Sequence, residues 1–222
     1  FWKLKLVIMS TPLKNAIEML SIGKNIKKFP LKKKNYHKLC TNRKNRDSST
    51  MIDIKNLDNL NSFKRIKKQE NARCFACGSA NETGMNMEFY TDEKVVFSRY
   101  QVPERFCGWD DLAHGGIIAT FLDEVMSYTA IYLLRRFILT RNMHLEFKKP
   151  VYVGDVIYGV GWVEQSISSR EVLIKARLYN QHGQECTHCQ GQYVLFSEEN
   201  MKKVGILNQQ TIESFAQMME IE

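Results

Sequence analysis

The sequence predicts an α+β fold in which an antiparallel β-sheet wraps around one long central helix. Three observations carry that expectation. The element candidates run two strands, one helix, four strands, and do not alternate strand and helix as a parallel sheet requires. The segment Gly115 to Leu134 is apolar on every side for twenty residues, with Asp123 and Glu124 its ionisable side chains apart from tyrosine. Something must therefore cover it all round. From Leu173 to Tyr179 the charged Lys175 and Arg177 alternate with Ile174, Ala176 and Leu178, the period of a sheet with one wet face.

From the N-terminus, residues 1–50 are a basic segment. They hold thirteen Lys or Arg against two acids, Glu18 and Asp47, which leaves nineteen against twenty-two for residues 51–222. The formal charge of +8 thus belongs to one end, and the rest is mildly acidic. A nucleic-acid-binding domain would place its Lys and Arg on a folded face with aromatics between them, so no nucleic-acid partner is expected. Lys24 to Asn45, with Lys32, Lys33 and Lys34 at its centre, has no apolar period and is expected to be disordered. Met9 and Met51 are both candidate starts, so residues 1–50 read as an upstream or organelle-targeting segment. The apolar run Leu6 to Met9 is too short for a secretory signal. The expected location is cytoplasmic, or mitochondrial if residues 1–50 are a presequence.

Residues 51–70 carry Leu57, Leu60 and Phe63 at a weak helical period and predict a lead-in helix. Turn formers Gly78, Ser79, Asn81 and Gly84 make Asn71 to Gly84 a loop. Met85 to Tyr90 and Lys94 to Val102 then read as a hairpin around Thr91-Asp92-Glu93, closed by Pro103. A turn-rich stretch leads into the apolar helix. Strands are expected over Leu139–Phe147, Asp155–Val163, Glu171–Tyr179 and Glu185–Phe196, with turns at Pro150 and Gly154, Ser168-Ser169, and His182-Gly183. The expected domain spans residues 71–198. Residues 199–222, with Ile212, Phe215 and Met219 on one stripe, predict a C-terminal helix.

The apolar helix has the length of a membrane span, but two acids mid-span would each cost about 2.5 to 3.5 kcal/mol on insertion scales, and its neighbours are amphipathic strands. No membrane span is expected. An acid inside a covered helix must be paired, protonated or set in a polar cavity, which singles out Asp123 ahead of Glu124; adjacent helical residues diverge by about 100°. Ahead of them, His114-Gly115-Gly116 opens the helix with two residues that lack Cβ. Free N–H groups there, aided by the helix dipole, suit the oxyanion of an acyl-transfer transition state. Asp123 follows His114 by nine residues, about 13.5 Å along the axis and half a turn round it. The acid cannot reach its own helix's N-terminus. If both act on one carbonyl, the acid comes from an antiparallel second helix, most simply that of a twofold-related copy, and an obligate homodimer with two shared sites is expected.

Cys74-Phe-Ala-Cys-Gly78, Asn81, Gly84-Met85, Phe106-Cys-Gly-Trp109, the run His114 to Glu124, Thr140, Pro150-Val151 and Gly154-Asp155 together resemble the PaaI-like branch of the hotdog thioesterase superfamily, over residues 71 to 198. The resemblance implies a hotdog fold, subunits paired into a continuous sheet as dimers or dimers of dimers, and hydrolysis of acyl-CoA without metal or other cofactor. By the same resemblance, the Gly115 N–H polarises the thioester carbonyl. Asp123 of the facing subunit then activates water or attacks directly, and Thr140 helps place the water. His114 belongs to the same motif, and Gly116, Gly108 and Glu124 fall among the expected substrate-contacting positions. Many members carry Asn or Gln where this chain has Gly108, a role left to Asp110 or Asp111 or to no side chain. Arg170, Lys148 and Lys149 are candidates for the CoA phosphates. The alternative is a non-catalytic acyl-CoA-binding protein.

Two Cys-x-x-Cys pairs, Cys74/Cys77 and Cys186/Cys189, with His188 suggest zinc. The second pair lies in an expected strand, where positions three apart face opposite ways, so four sulfurs would not converge. The cysteines are expected to be thiols and no metal is expected.

Overall fold

The computed structural model of the chain describes residues 57–69 and 71–219. The basic segment, Cys40 and the first residues of the expected lead-in helix lie outside them. Seven strands form one sheet: β1 Lys64–Arg65, β2 Tyr90–Thr91, β3 Val96–Gln101, β4 Phe137–Phe147, β5 Val156–Ser166, β6 Glu171–Asn180 and β7 Glu185–Phe196. Their spatial order is β1-β2-β3-β5-β6-β7-β4, and every neighbouring pair is antiparallel. The helix α1, Gly115–Leu134, falls in the chain between β3 and β4. It packs against β3, β4, β5, β6 and β7. This is the hotdog arrangement.

The sheet can wrap α1 because its inner face alternates large residues with very small ones. In β6, Val172, Ile174, Ala176 and Leu178 are buried while Lys175 and Arg177 look outward, as the sequence period required. In β5, Gly159 and Gly161 stand on the inner face. A Cβ on Gly159 would lie 2.5 Å from Phe121 Cε1, and one on Gly161 2.4 Å from Thr129 Oγ1. The missing side chains let the helix sit close to the strand. Phe121, Leu122, Val125, Met126 and Ala130 are thereby fully buried, and each large apolar side chain so placed contributes roughly 1.5–3 kcal/mol. The span is long and apolar enough to cross a membrane by length and composition, but 72% of an eighteen-residue window within it is buried inside the fold.

Two expectations are corrected. Residues 60–69 do not continue a helix: they form a 3-10 turn, Leu60–Ser62, and the short strand β1. Lys64 and Arg65 pair with Thr91 and Tyr90, Phe63 meets Phe97 edge-on at 4.7 Å, and Ile66 is buried. Tertiary pairing outweighs a weak helical period. The C-terminal helix is broken into α2, Glu198–Val204, and α3, Gln209–Met219, because Gly205 takes a left-handed conformation, φ 70°, at the end of α2. The first hairpin is narrower than expected. Only Tyr90 and Thr91 pair with β3, although Met85, Met87 and Phe89 keep the buried alternation of an extended segment.

Candidate active site

Asp123 sits near the middle of α1, on the side facing β4 and β7. Its Oδ1 accepts hydrogen bonds from Thr140 Oγ1 at 3.1 Å and Tyr193 OH at 3.0 Å. Thr140 and Tyr193 are direct cross-strand partners of β4 and β7, so one rung of the sheet supplies both donors. The strand register shifts between Thr140 and Asn142. Tyr193 is fully buried, and burial first, then the Asp123 charge, raises its phenol well above the usual value. It remains a donor. Space for its ring comes from Gly191, two residues earlier on the same face, where a Cβ would lie 2.9 Å from Tyr193 Cε2.

Burial also pushes the Asp123 carboxyl above its ordinary value, and the donors Tyr193 and Thr140 pull it back. No cation is among the groups that shift it. A carboxylate desolvated but held by neutral hydroxyls is more basic than a surface acid, which is the condition for accepting a proton from water or for attacking a carbonyl.

At the start of α1 the sequence expectation needs one correction. Of the two glycine N–H groups, that of Gly116 is already used: it donates to His114 Nδ1 at 3.0 Å, with His114 serving as N-cap. The short side-chain cap satisfies one of the helix's free donors, and with Nδ1 accepting, the imidazole proton sits on Nε2. Gly115 N–H takes no partner among the described residues and, as the first helical position, has no carbonyl to meet within α1. It is the donor left for a ligand. The residues leading in are held tightly: His114 N–H donates to Phe106 O at 2.9 Å and Gly108 N–H to Leu112 O at 2.7 Å. A Cβ on Gly108 would lie 3.1 Å from His114 Cα, which explains why glycine, with no side chain to offer the substrate, occupies that position.

Eight residues separate Gly115 from Asp123, about 12 Å of helix. Within one chain the structure therefore does not bring His114, Gly115 and Gly116 together with Asp123 and Thr140. Glu124 turns to a third place, with Oε1 3.8 Å from Cys74 Sγ. Arg170 is exposed in the turn between β5 and β6, where its carbonyl accepts from Leu195 N–H at 2.7 Å. Tyr193 was not singled out from the sequence. The signal that points to it is a tyrosine on the inward stripe of β7, since a buried phenol needs a hydrogen-bond partner and Asp123 is the buried acid in need of a donor.

Residues 111–187 match the family described as the thioesterase superfamily. The matched segment takes in α1, β4, β5, β6 and the opening of β7, so it contains Asp123 and Thr140 and stops short of Tyr193. No curated protein matches the chain in sequence. Among solved structures it is similar to the Escherichia coli PaaI protein from the phenylacetic acid degradation operon, at 13% identity and TM-score 0.47, over 51% of this chain and 81% of that one. It is similar to a Streptococcus mutans protein bound to acetyl CoA, at 19% identity and TM-score 0.48, over 50% and 90%. Zebra fish thioesterase superfamily member 2 is similar at 18% identity and TM-score 0.48, over 53% and 90%.

Proposed function

We propose that the protein is an acyl-CoA thioesterase of the PaaI-like kind, hydrolysing its substrate to free acid and CoA in sites shared between two copies of the chain. The observation that carries the proposal is a pair of features on one helix: a Gly115 N–H with no partner among the described residues at its start, and Asp123, raised by burial, about 12 Å along it. Two antiparallel copies of α1 would place each half against the other's complement. The Gly115 N–H would then donate to the thioester oxygen, and Asp123 of the facing copy would take a proton from water as the water oxygen bonds to the carbonyl carbon, or attack that carbon directly to form an anhydride that water then hydrolyses. As the carbon–sulfur bond breaks, the electron pair leaves on the CoA sulfur, which is protonated on release.

Two features support pairing. β4 bonds to β7 on one side and has no strand on its other side among the described residues, and an open eleven-residue edge is usually covered. Exposed apolar residues also gather at the entrance to α1. Leu112 bridges Tyr152, Trp109 is 83% exposed, and Phe147 lies 3.6 Å from where a Gly115 Cβ would be. Such a patch marks an interaction surface.

Release of free CoA thiol from acyl-CoAs of varied chain length and aromaticity tests the activity. The shared site is tested by mixing subunits. Gly115→Pro removes the N–H and adds a ring, at a helical position that suits proline, and Asp123→Ala removes the acid. Each alone should be inactive. A refolded equal mixture should recover about one quarter of wild-type turnover, because half the dimers are mixed and each mixed dimer keeps one intact site. A mixture as inactive as its components would refute the shared site. Non-catalytic acyl-CoA binding is the second reading, favoured by the engaged Gly116 N–H and the bare Gly108; it predicts binding without turnover.

A further inference from the structure

We infer that Cys74, Cys77 and Glu124 form a binding site for one zinc-like divalent cation, which clips the 71–84 loop onto α1. One ligand atom from each of the three residues lies within 4.8 Å of the other two, and Cys74 Sγ stands 3.8 Å from Glu124 Oε1. Tetrahedral zinc with the usual bond lengths sets two sulfurs about 3.8 Å apart and a sulfur and an oxygen about 3.6 Å apart. Shifts of a few tenths of an ångström to about 1 Å close the site.

The sulfurs are prepared for a metal by the turn that carries them. Gly78 N–H donates to Cys74 O at 3.0 Å, closing a tight Cys-x-x-Cys-Gly turn in which a Cβ on Gly78 would strike Ala72 O at 2.4 Å and Cys74 N at 2.5 Å. Only glycine fits. The Cys77 side chain and then the N–H groups of Cys77, Ala76 and Gly78 stabilise Cys74 sulfur and lower its thiol. Hydrogen bonding to Cys74 and burial raise Cys77, while burial raises Glu124. Thiolate donors select zinc over magnesium or calcium. Cys74 stands at the surface, which gives an entry path, and a water would fill the fourth position. Cys186 and Cys189 take no part; both are buried in β7.

The test uses the untagged full chain, reduced and washed with chelator, then titrated with cobalt(II) and with zinc(II). One equivalent of cobalt should bind with the intense absorption of a tetrahedral thiolate complex, and one equivalent of zinc should displace it. Cys74→Ser and Cys77→Ser should each weaken binding by more than the roughly 10–100-fold that indirect contacts contribute. Glu124→Gln should weaken it about 10-fold or more while keeping both thiols. The double change Cys186→Ser with Cys189→Ser should leave affinity as in wild type. Wild-type protein that binds no stoichiometric metal while both thiols react with a thiol reagent overturns the proposal, as does metal binding unchanged by Cys74→Ser and Cys77→Ser.

Discussion

Asp123 and Glu185 are two acids on opposite sides of the same sheet, and they are held by opposite means. Asp123 lies on α1 under the sheet and takes its hydrogen bonds from two neutral hydroxyls, Thr140 and Tyr193. Glu185 lies on the outer face of β7, ion-paired to Lys148, with Arg177 Nε and His188 Nδ1 each at 3.6 Å. Burial raises the first. For the second, burial works upward, but Lys148 and then Arg177 and His188 outweigh it and hold the carboxyl low. An acid with cations beside it is satisfied and chemically quiet. An acid satisfied only by neutral donors keeps its basicity, and that separates a site from a surface ion pair.

The largest expected effect comes from removing the inner acid. Asp123→Asn should lower thioester turnover by roughly 10²–10⁴-fold with the fold intact by circular dichroism, whereas Glu185→Gln should leave turnover unchanged. Equal losses would dissolve the comparison.

Tyr193→Phe sharpens it. The change keeps the ring under Gly191 and deletes one donor that lowers Asp123. The Asp123 pKa should rise further, so the acid limb of the pH–rate profile should move to higher pH. The rate at neutral pH should fall by about 10-fold, the order expected for losing one hydrogen bond to a charged group. Thr140→Val should shift the limb in the same direction. A profile unmoved by either change would mean that the two hydroxyls do not tune the acid.

Gly161→Ala asks whether the depth of the site depends on close approach of α1 to β5. The added Cβ meets Thr129 Oγ1 at 2.4 Å, and overpacking of this kind costs about 1–3 kcal/mol, read as a lower unfolding midpoint in denaturant. The outer acid gives the smallest effect. Glu185→Gln should cost about 1 kcal/mol or less. Because the Glu185 carboxyl is lowered by folding, its contribution is fully present above the unfolded value near 4.3 and disappears as the pH falls through the lower folded value. Wild type and Glu185→Gln should therefore differ in stability at neutral pH and converge in acid.

Some of this was legible in residue order. The period of Leu173–Tyr179, the twenty apolar residues of α1 and the motif from His114 to Glu124 are local patterns, and they placed β6 and α1 correctly, with Gly115 at the start of the helix and Asp123 within it. Thr140 was reached through the family resemblance. The weak period at Leu57, Leu60 and Phe63 misled, because Lys64 and Arg65 find strand partners twenty-seven and twenty-five residues later in the chain. The engaged N–H of Gly116 was also hidden, since it depends on which way one imidazole turns.

Fold class, the location of the charge in residues 1–50 and the spacing of Gly115 from Asp123 along the long helix follow from the sequence alone. Periodicity, composition and helical rise are properties of neighbouring residues. The partners of Asp123, the approach of α1 to Gly159 and Gly161, and the meeting of Glu124 with Cys74 and Cys77 were decided only by tertiary structure. Those contacts join residues from seventeen to seventy positions apart, and their distances are set by sheet register and helix packing, which no local pattern records.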